Sequence, residues 1–341
     1  MDRPRHITLE DIARQLGLSK VAVSKALRDH PDISAATKAR IRQVAAELGY
    51  TPNFIARNLS SRRSQTIGLL VPKIAHSFFA DAIEAIYERA FANRYEIVMM
   101  VSQENAANET VHLQTLLSMH VDGLLVSVSQ ETRSTAIFET VRKRGVPLVF
   151  FDRVLDGLGF SRVISDDITG AQTATRHLLQ QGYDRIAHIG GYSWTSIGRD
   201  RFAGYCQALL DAGKTCDERL VIRGGFGEAD GAAGLRSLLQ HDQPPQAIFA
   251  VTYPVALGVL QAAVEHGLRV PQDLDLIAFG GSSYNRFVSP SLTTIDQPAR
   301  EIGSRAAELL LQEILDPEIP RDRCVVVPTS LVVRDTGKRT L

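Results

Sequence analysis

The chain has 341 residues, of which 44% are hydrophobic, 22% charged and 6% aromatic, a composition that excludes disordered, collagenous and fibrous polymers and leaves room for two or three globular domains. Its longest apolar runs, at 67–72 and 147–151, fall far short of the roughly 20 residues a bilayer-spanning helix needs, and the charged start MDRPRHITLED lacks the apolar core of a signal peptide. The net charge of zero hides a division: residues 1–63 hold 12 Lys and Arg against 6 Asp and Glu and the remainder holds 26 against 32, so a basic head precedes an acidic body.

In the head, Thr8-Leu9-Glu10-Asp11 has the pattern of a capping box, and Leu9, Ile12, Ala13 and Leu16 follow helical spacing up to Gly17. Ser19 is placed to cap a second short helix, with Val23, Ala26 and Leu27 facing inward and Lys20, Val21, Ala22, Ser24 and Lys25 facing outward or towards the helix start. A third helix, capped by Ser34, carries Ile41, Val44, Ala45 and Leu48 inward and stops at Gly49. Two short helices joined by a tight glycine turn, closed by a third, form the arrangement that presents the second helix to a DNA major groove. Pro52 then blocks continuation, and Asn53 can cap a short helix through Leu59.

From residue 66 onward, short apolar runs rich in β-branched residues alternate with helical stretches. Strands are expected at 66–71, 97–101, 123–128, 148–151, 186–189, 247–251 and 276–279, with helices at 78–93, 170–181 and 298–315. Fully apolar strands separated by helices imply parallel sheets covered on both faces, and about ten strands imply two lobes. In such sheets a ligand sits beyond the carboxyl ends of the strands. That rule selects Phe78, Phe79, Ser127, Asp152, Trp194, Arg201, Phe226, Thr252, Tyr253 and the run from Gly280 to Ser283, which includes Ser282.

The motifs TLEDIARQLGLSKVAVSKAL and ELGYTPNFIARNL, with IGLLVP at 67–72, VDGLLV at 121–126 and SLTTIDQP at 291–298, resemble the LacI/GalR family of bacterial transcription regulators over essentially the whole chain. The resemblance implies an all-α helix-turn-helix domain at 1–50, a hinge helix and linker at 51–65, and a body at 66–341. That body resembles periplasmic binding proteins, with two doubly wound parallel-sheet α/β lobes. It implies crossings near 165, 294 and 323, with lobe one at 66–164 and 295–323 and lobe two at 165–294 and 324–335. It also implies DNA contacts from Thr8, Ser19, Lys20, Val21, Ala22, Ser24, Lys25, Asn53, Ala56 and Arg57, with Leu59 wedged between base steps in the minor groove. Lysine can donate to guanine, and Val21 with Ala22 can touch a thymine methyl. Unstacking costs a few kcal/mol and lets a kinked duplex meet more protein.

For the body, the resemblance implies that Arg201 and Asp152 hold an effector and that Phe226 stacks on it. Many sugar-binding members have Asn-Asp where this chain has Thr252-Tyr253, and an aspartate where it has Gly280-Gly281. Two alternatives follow: an acidic or phosphorylated effector held by Arg153 and Arg201, or a neutral sugar gripped by Thr252, Tyr253, Ser282 and Ser283.

Enzyme signatures such as G-x-S-x-G, the Walker lysine loop and H-E-x-x-H are absent from the sequence. Three cysteines, an odd number without C-x-x-C, argue against a disulfide framework or a zinc site and point to a reducing, cytoplasmic compartment. The expectation is a homodimeric, operator-binding regulator, most plainly a repressor, controlled by a carbohydrate-related small molecule and using no cofactor, metal or membrane. A transport-type solute-binding protein would share the two lobes but would need a signal peptide and no basic head.

Overall fold

In the computed structural model, which describes residues 7–27, 29–50 and 63–339, the chain forms two units, divided between Ser64 and Gln65.

The first unit holds α1 (Leu9–Leu16), α2 (Lys20–Leu27) and α3 (Ala35–Glu47). The capping box forms as the sequence predicts: the Asp11 N–H donates to the Thr8 hydroxyl, while the Thr8 N–H donates to the Asp11 carboxylate at 2.9 Å. Gly17 ends α1 at φ 66°, a left-handed conformation that glycine adopts at no steric cost. The Ala22 N–H donates to Ser19 Oγ at 3.2 Å and opens α2, and the Thr37 N–H donates to Ser34 Oγ and opens α3. Ile12, Ala13, Val23, Ala26, Ile41, Val44 and Ala45 meet in one small buried core.

The second unit contains two six-stranded sheets. The first has the order β11-β5-β4-β3-β1-β2, and the second β12-β10-β9-β8-β6-β7. In chain order the strands of the first sheet are β1 (Thr66–Val71), β2 (Glu96–Val101), β3 (Gly123–Val126), β4 (Leu148–Phe151), β5 (Ser161–Ser165) and β11 (Cys324–Val327). Those of the second are β6 (Ile186–Gly190), β7 (Val221–Arg223), β8 (Ala247–Ala250), β9 (Asp275–Phe279), β10 (Thr293–Asp296) and β12 (Ser330–Val332). All pairings are parallel except that of β10 with β12. On the first sheet lie α4 (Ser77–Ala92), α5 (Ala106–Ser118), α6 (Ala136–Lys143) and α11 (Ala299–Leu315). On the second lie α7 (Asp167–Gln180), α8 (Ser196–Asp211), α9 (Glu228–Leu238) and α10 (Tyr253–Glu265). Helices on both faces bury the central strands completely, as β1, β3, β4, β6, β8 and β9 show.

The chain crosses between lobes three times, but not all where the sequence places it. The first crossing follows β5 at 166, near the expected 165. β10 lies wholly in the second sheet, so the second crossing falls at 297–298 rather than 294. β11 pairs with β5 in the first sheet, so the third crossing falls at 328–329 rather than 323, and 324–327 belongs to lobe one. Segments this short carry no signal of which sheet they join; the free edge beside β5 decides it.

The cysteines also correct the sequence reading. Cys206 on α8 and Cys216 form a disulfide, with Cα atoms 5.3 Å apart, and Cys324 is free and exposed. The chain reverses at Gly213, which returns Cys216 alongside the helix it has just left. Among the described residues no helix is long and apolar enough to cross a membrane, and no cluster of His, Cys, Asp and Glu could hold a metal ion.

Candidate functional site

α2 displays Lys20 and Val21 outward, with Val21 65% exposed. Lys25 is drawn aside, its ammonium 2.7 Å from the Asp32 carboxylate. Thr8 and Ser19 serve as helix caps, while Ala22 and Ser24 are half-buried. The exposed start of α2 is therefore free to meet another surface. Asn53, Ala56, Arg57 and Leu59 lie outside the described residues.

In the body, the carboxyl ends of the strands of both lobes frame a cavity that is partly open to solvent. Phe78, Phe79, Asp152, Arg201, Thr252, Tyr253, Gly280 and Gly281 line it, as the strand-end rule predicts. The wall also includes Arg153, which the sequence offered with Arg201 for an acidic effector, and His76, Ser77, Ile197, Phe279 and Gln297, which were not among the selected residues. Phe279 ends β9, and Gln297 directly follows β10; the same rule finds Gln297 once β10 is recognised as a strand.

Both arginines at the cavity already have carboxylate partners. Arg201 donates from Nε to Asp167 at 2.7 Å and from Nη1 to the Val251 carbonyl at 2.7 Å, with its guanidinium 3.6 Å above the Phe279 ring. Arg153 donates from Nη1 to both Glu104 oxygens, at 2.9 and 2.8 Å, and lies 4.6 Å over the Phe226 ring. Nη2 of Arg201 and Nε of Arg153 are buried without a hydrogen-bond partner, an expensive state that a ligand oxygen would relieve. Gln297, at the second crossing, donates to Asp152 at 3.0 Å and to Ser165 at 2.8 Å, and so ties a cavity carboxylate to the first crossing. Asp152 adopts φ 59°, a left-handed conformation uncommon outside glycine and often found at functional sites.

Burial dominates the electrostatics. It pushes the Asp152 carboxyl upward and raises Asp167 to about 6 against the pull of Arg201. Burial, with Arg153 nearby, holds the His76 imidazole below its ordinary range and therefore neutral at pH 7. Behind Glu104, burial raises Glu109 to about 7; it accepts from the Ser129 N–H and the Thr132 hydroxyl.

The other selected residues do not line the cavity. Ser127 is fully buried and its hydroxyl accepts from the Arg153 N–H, while Phe226 backs the Arg153 guanidinium. Ser282 accepts from the Tyr284 N–H at a short helical turn. Trp194 bridges the two lobes: its indole stacks on Tyr192, takes Arg133 on its ring at 3.9 Å, and donates to the Gln130 carbonyl of the other lobe at 2.8 Å. The hydroxyls expected to grip a sugar are also engaged, since Thr252 donates to the Phe226 carbonyl and Tyr253 to Asn285.

Residues 8–53 match the model of the bacterial regulatory proteins of the lacI family, and residues 175–336 match the periplasmic binding protein-like domain. The chain is 32% identical over 325 residues to the ribose operon repressor of Haemophilus influenzae, covering 95% of this chain and 97% of that one. It is 33% identical to the transcriptional repressor CytR of Escherichia coli, over 90% of this chain and 89% of that one. Among solved structures, the lac repressor dimer bound to operator and the anti-inducer ONPF superposes with a TM-score of 0.85 at 25% identity, covering 98% of this chain and all of that one. A complex of the regulator CelR with cellobiose superposes at 0.75 with 29% identity, covering 97% and 100%. With a helix-turn-helix head, a two-lobed body and relatives this similar along nearly its whole length, the chain belongs to the LacI family of DNA-binding transcriptional regulators.

Proposed function

We propose that this regulator is a cytoplasmic repressor: a homodimer grips a palindromic operator with two copies of α2 and of the hinge at 51–65, and a neutral, sugar-like molecule in the cleft changes that grip. The observation that carries the choice of effector is the charge balance of the cleft. Arg153 and Arg201 are each neutralised by a carboxylate, and Asp152 adds acid rather than base, so among the described residues lining the cleft no uncompensated cation awaits a phosphate or carboxylate. What lines the cleft is two carboxylate-paired guanidinium groups, a carboxylate and aromatic walls, which suit hydroxyl groups on a ring. Relatives named for ribose and a neighbour crystallised with cellobiose fit the same class.

Dimerisation is supported by the free edge of the first sheet. β2, with sequence EIVMMV, ends that sheet with no residue fully buried, and Met99 is 43% exposed. Tyr87 and Phe91 form an exposed stacked pair on α4, which packs against β2. A long apolar edge invites pairing unless covered, and a second copy covers it symmetrically. One short recognition helix reads few bases, so two-fold pairing also supplies the rest of the site. The mechanism is a population shift: ligand favours one degree of lobe closure, the three crossings transmit it to the hinge, and operator affinity changes.

Two measurements test this. Selection of bound duplexes from a random DNA pool is expected to return an inverted repeat; recovery of unrelated or asymmetric sequences overturns the operator half. Thermal unfolding with neutral sugars, sugar acids and sugar phosphates is expected to give a rise of several degrees with a neutral sugar alone, since a ligand at 100 times its Kd adds about 2.7 kcal/mol. A rise with acids or phosphates only sinks the neutral-effector reading.

A further inference from the structure

Glu104 lies just past the end of β2, a strand end not selected from the sequence. It and Gln103 both take left-handed backbone conformations, φ 63° and 54°, which cost energy in a residue with a side chain. The strain places a carboxylate deep in the lobe, 9% exposed, where one Arg153 nitrogen donates to both of its oxygens and the Gln130 N–H donates to one of them at 2.9 Å. Arg153 is 2% exposed, and the aromatic face of Phe226 beneath it adds no hydrogen-bond acceptor of its own; among the described residues its ion pair is with Glu104, while Asp152 and Glu109 feel its charge from further off.

We propose that Glu104 sets the charge selectivity of the cleft: by neutralising Arg153 it excludes anionic ligands, leaving the arginine Nε–H as a donor to an uncharged hydroxyl. This rests on the reading that the cleft takes a neutral effector. A buried guanidinium stripped of its carboxylate becomes a charge seeking an anion, and phosphate supplies the complementary oxygens. Glu104 thus acts through Arg153, as a positioning and specificity residue.

The test needs no knowledge of the effector. Inorganic phosphate is titrated calorimetrically, at constant ionic strength, into the full-length wild type and Glu104→Gln. The variant is expected to bind phosphate at least about ten-fold more tightly than wild type, and Glu104→Asp, which restores the charge, to return to wild-type behaviour. Equal phosphate affinity in Glu104→Gln and wild type overturns the proposal, as does a gain in Glu104→Asp matching that of Glu104→Gln. Wild type that itself binds phosphate tightly refutes the neutral-effector reading, while the difference between variant and wild type still decides the role of Glu104. Should Glu104→Gln fail to fold, Glu104→Ala replaces it: folding only in phosphate buffer supports the proposal, and failure in both buffers counts against it.

Discussion

Alanine at Gly258 is expected to destabilise the body by about 3 kcal/mol or more, or to prevent folding of lobe two. Gly258 on α10 faces α9 so closely that a Cβ would fall inside van der Waals contact of the Glu228 carbonyl oxygen, and a Cβ at Gly231 would meet the Val255 carbonyl in the same way. These are backbone atoms, which cannot rotate aside as a flexible side chain can, so the two helices must separate. Separation would open the core in which Leu235, Leu238, Val255, Val259 and Ala262 pack against β6 and β8. The measurement is thermal or urea unfolding of Gly258→Ala beside Ala232→Gly, which changes a methyl group in the same core without forcing the helices apart and is expected to cost less. A Gly258→Ala variant as stable as wild type refutes the close-approach argument.

The second large effect concerns the Asp167–Arg201 pair. Both side chains are almost wholly buried, at 6% and 2% exposure, and Asp167→Asn removes the guanidinium's ion-pair partner. Breaking a buried pair on one side typically costs about 3–5 kcal/mol, here a fall in Tm of roughly 10 °C. Replacing both partners with apolar residues, Asp167→Leu with Arg201→Met, is expected to recover most of that stability, because the desolvation penalty disappears with the charges. The double variant should nonetheless lose the ligand-induced rise in Tm, since the spare Nη2 donor is gone. Stability and ligand response thus separate, and an unchanged ligand response in the double variant sinks the role of Arg201 in the cleft.

Much of this protein is determined locally. The helices of the head follow from side chains that satisfy their own neighbours' N–H groups, as Thr8, Ser19 and Ser34 do, and from a glycine at the one left-handed turn between α1 and α2. The central strands follow from apolar runs too short for helices, and the strand-end rule then marks eight of the cavity residues, Arg201 and Asp152 among them. Tertiary structure alone decided the rest. β10 to β12 are only three or four residues long, and which sheet they join depends on which edge is open. That uncertainty hid Gln297 and displaced the third crossing. The Cys206–Cys216 pairing depends on the chain's path after α8 and leaves no mark in cysteine count or spacing. Charge in the cleft is the deepest case. The sequence presents Arg153 and Arg201 as two cations, but Glu104 lies 49 residues from Arg153 and Asp167 lies 34 from Arg201. Electrostatic partners are chosen by distance in space, and only the folded chain supplies it.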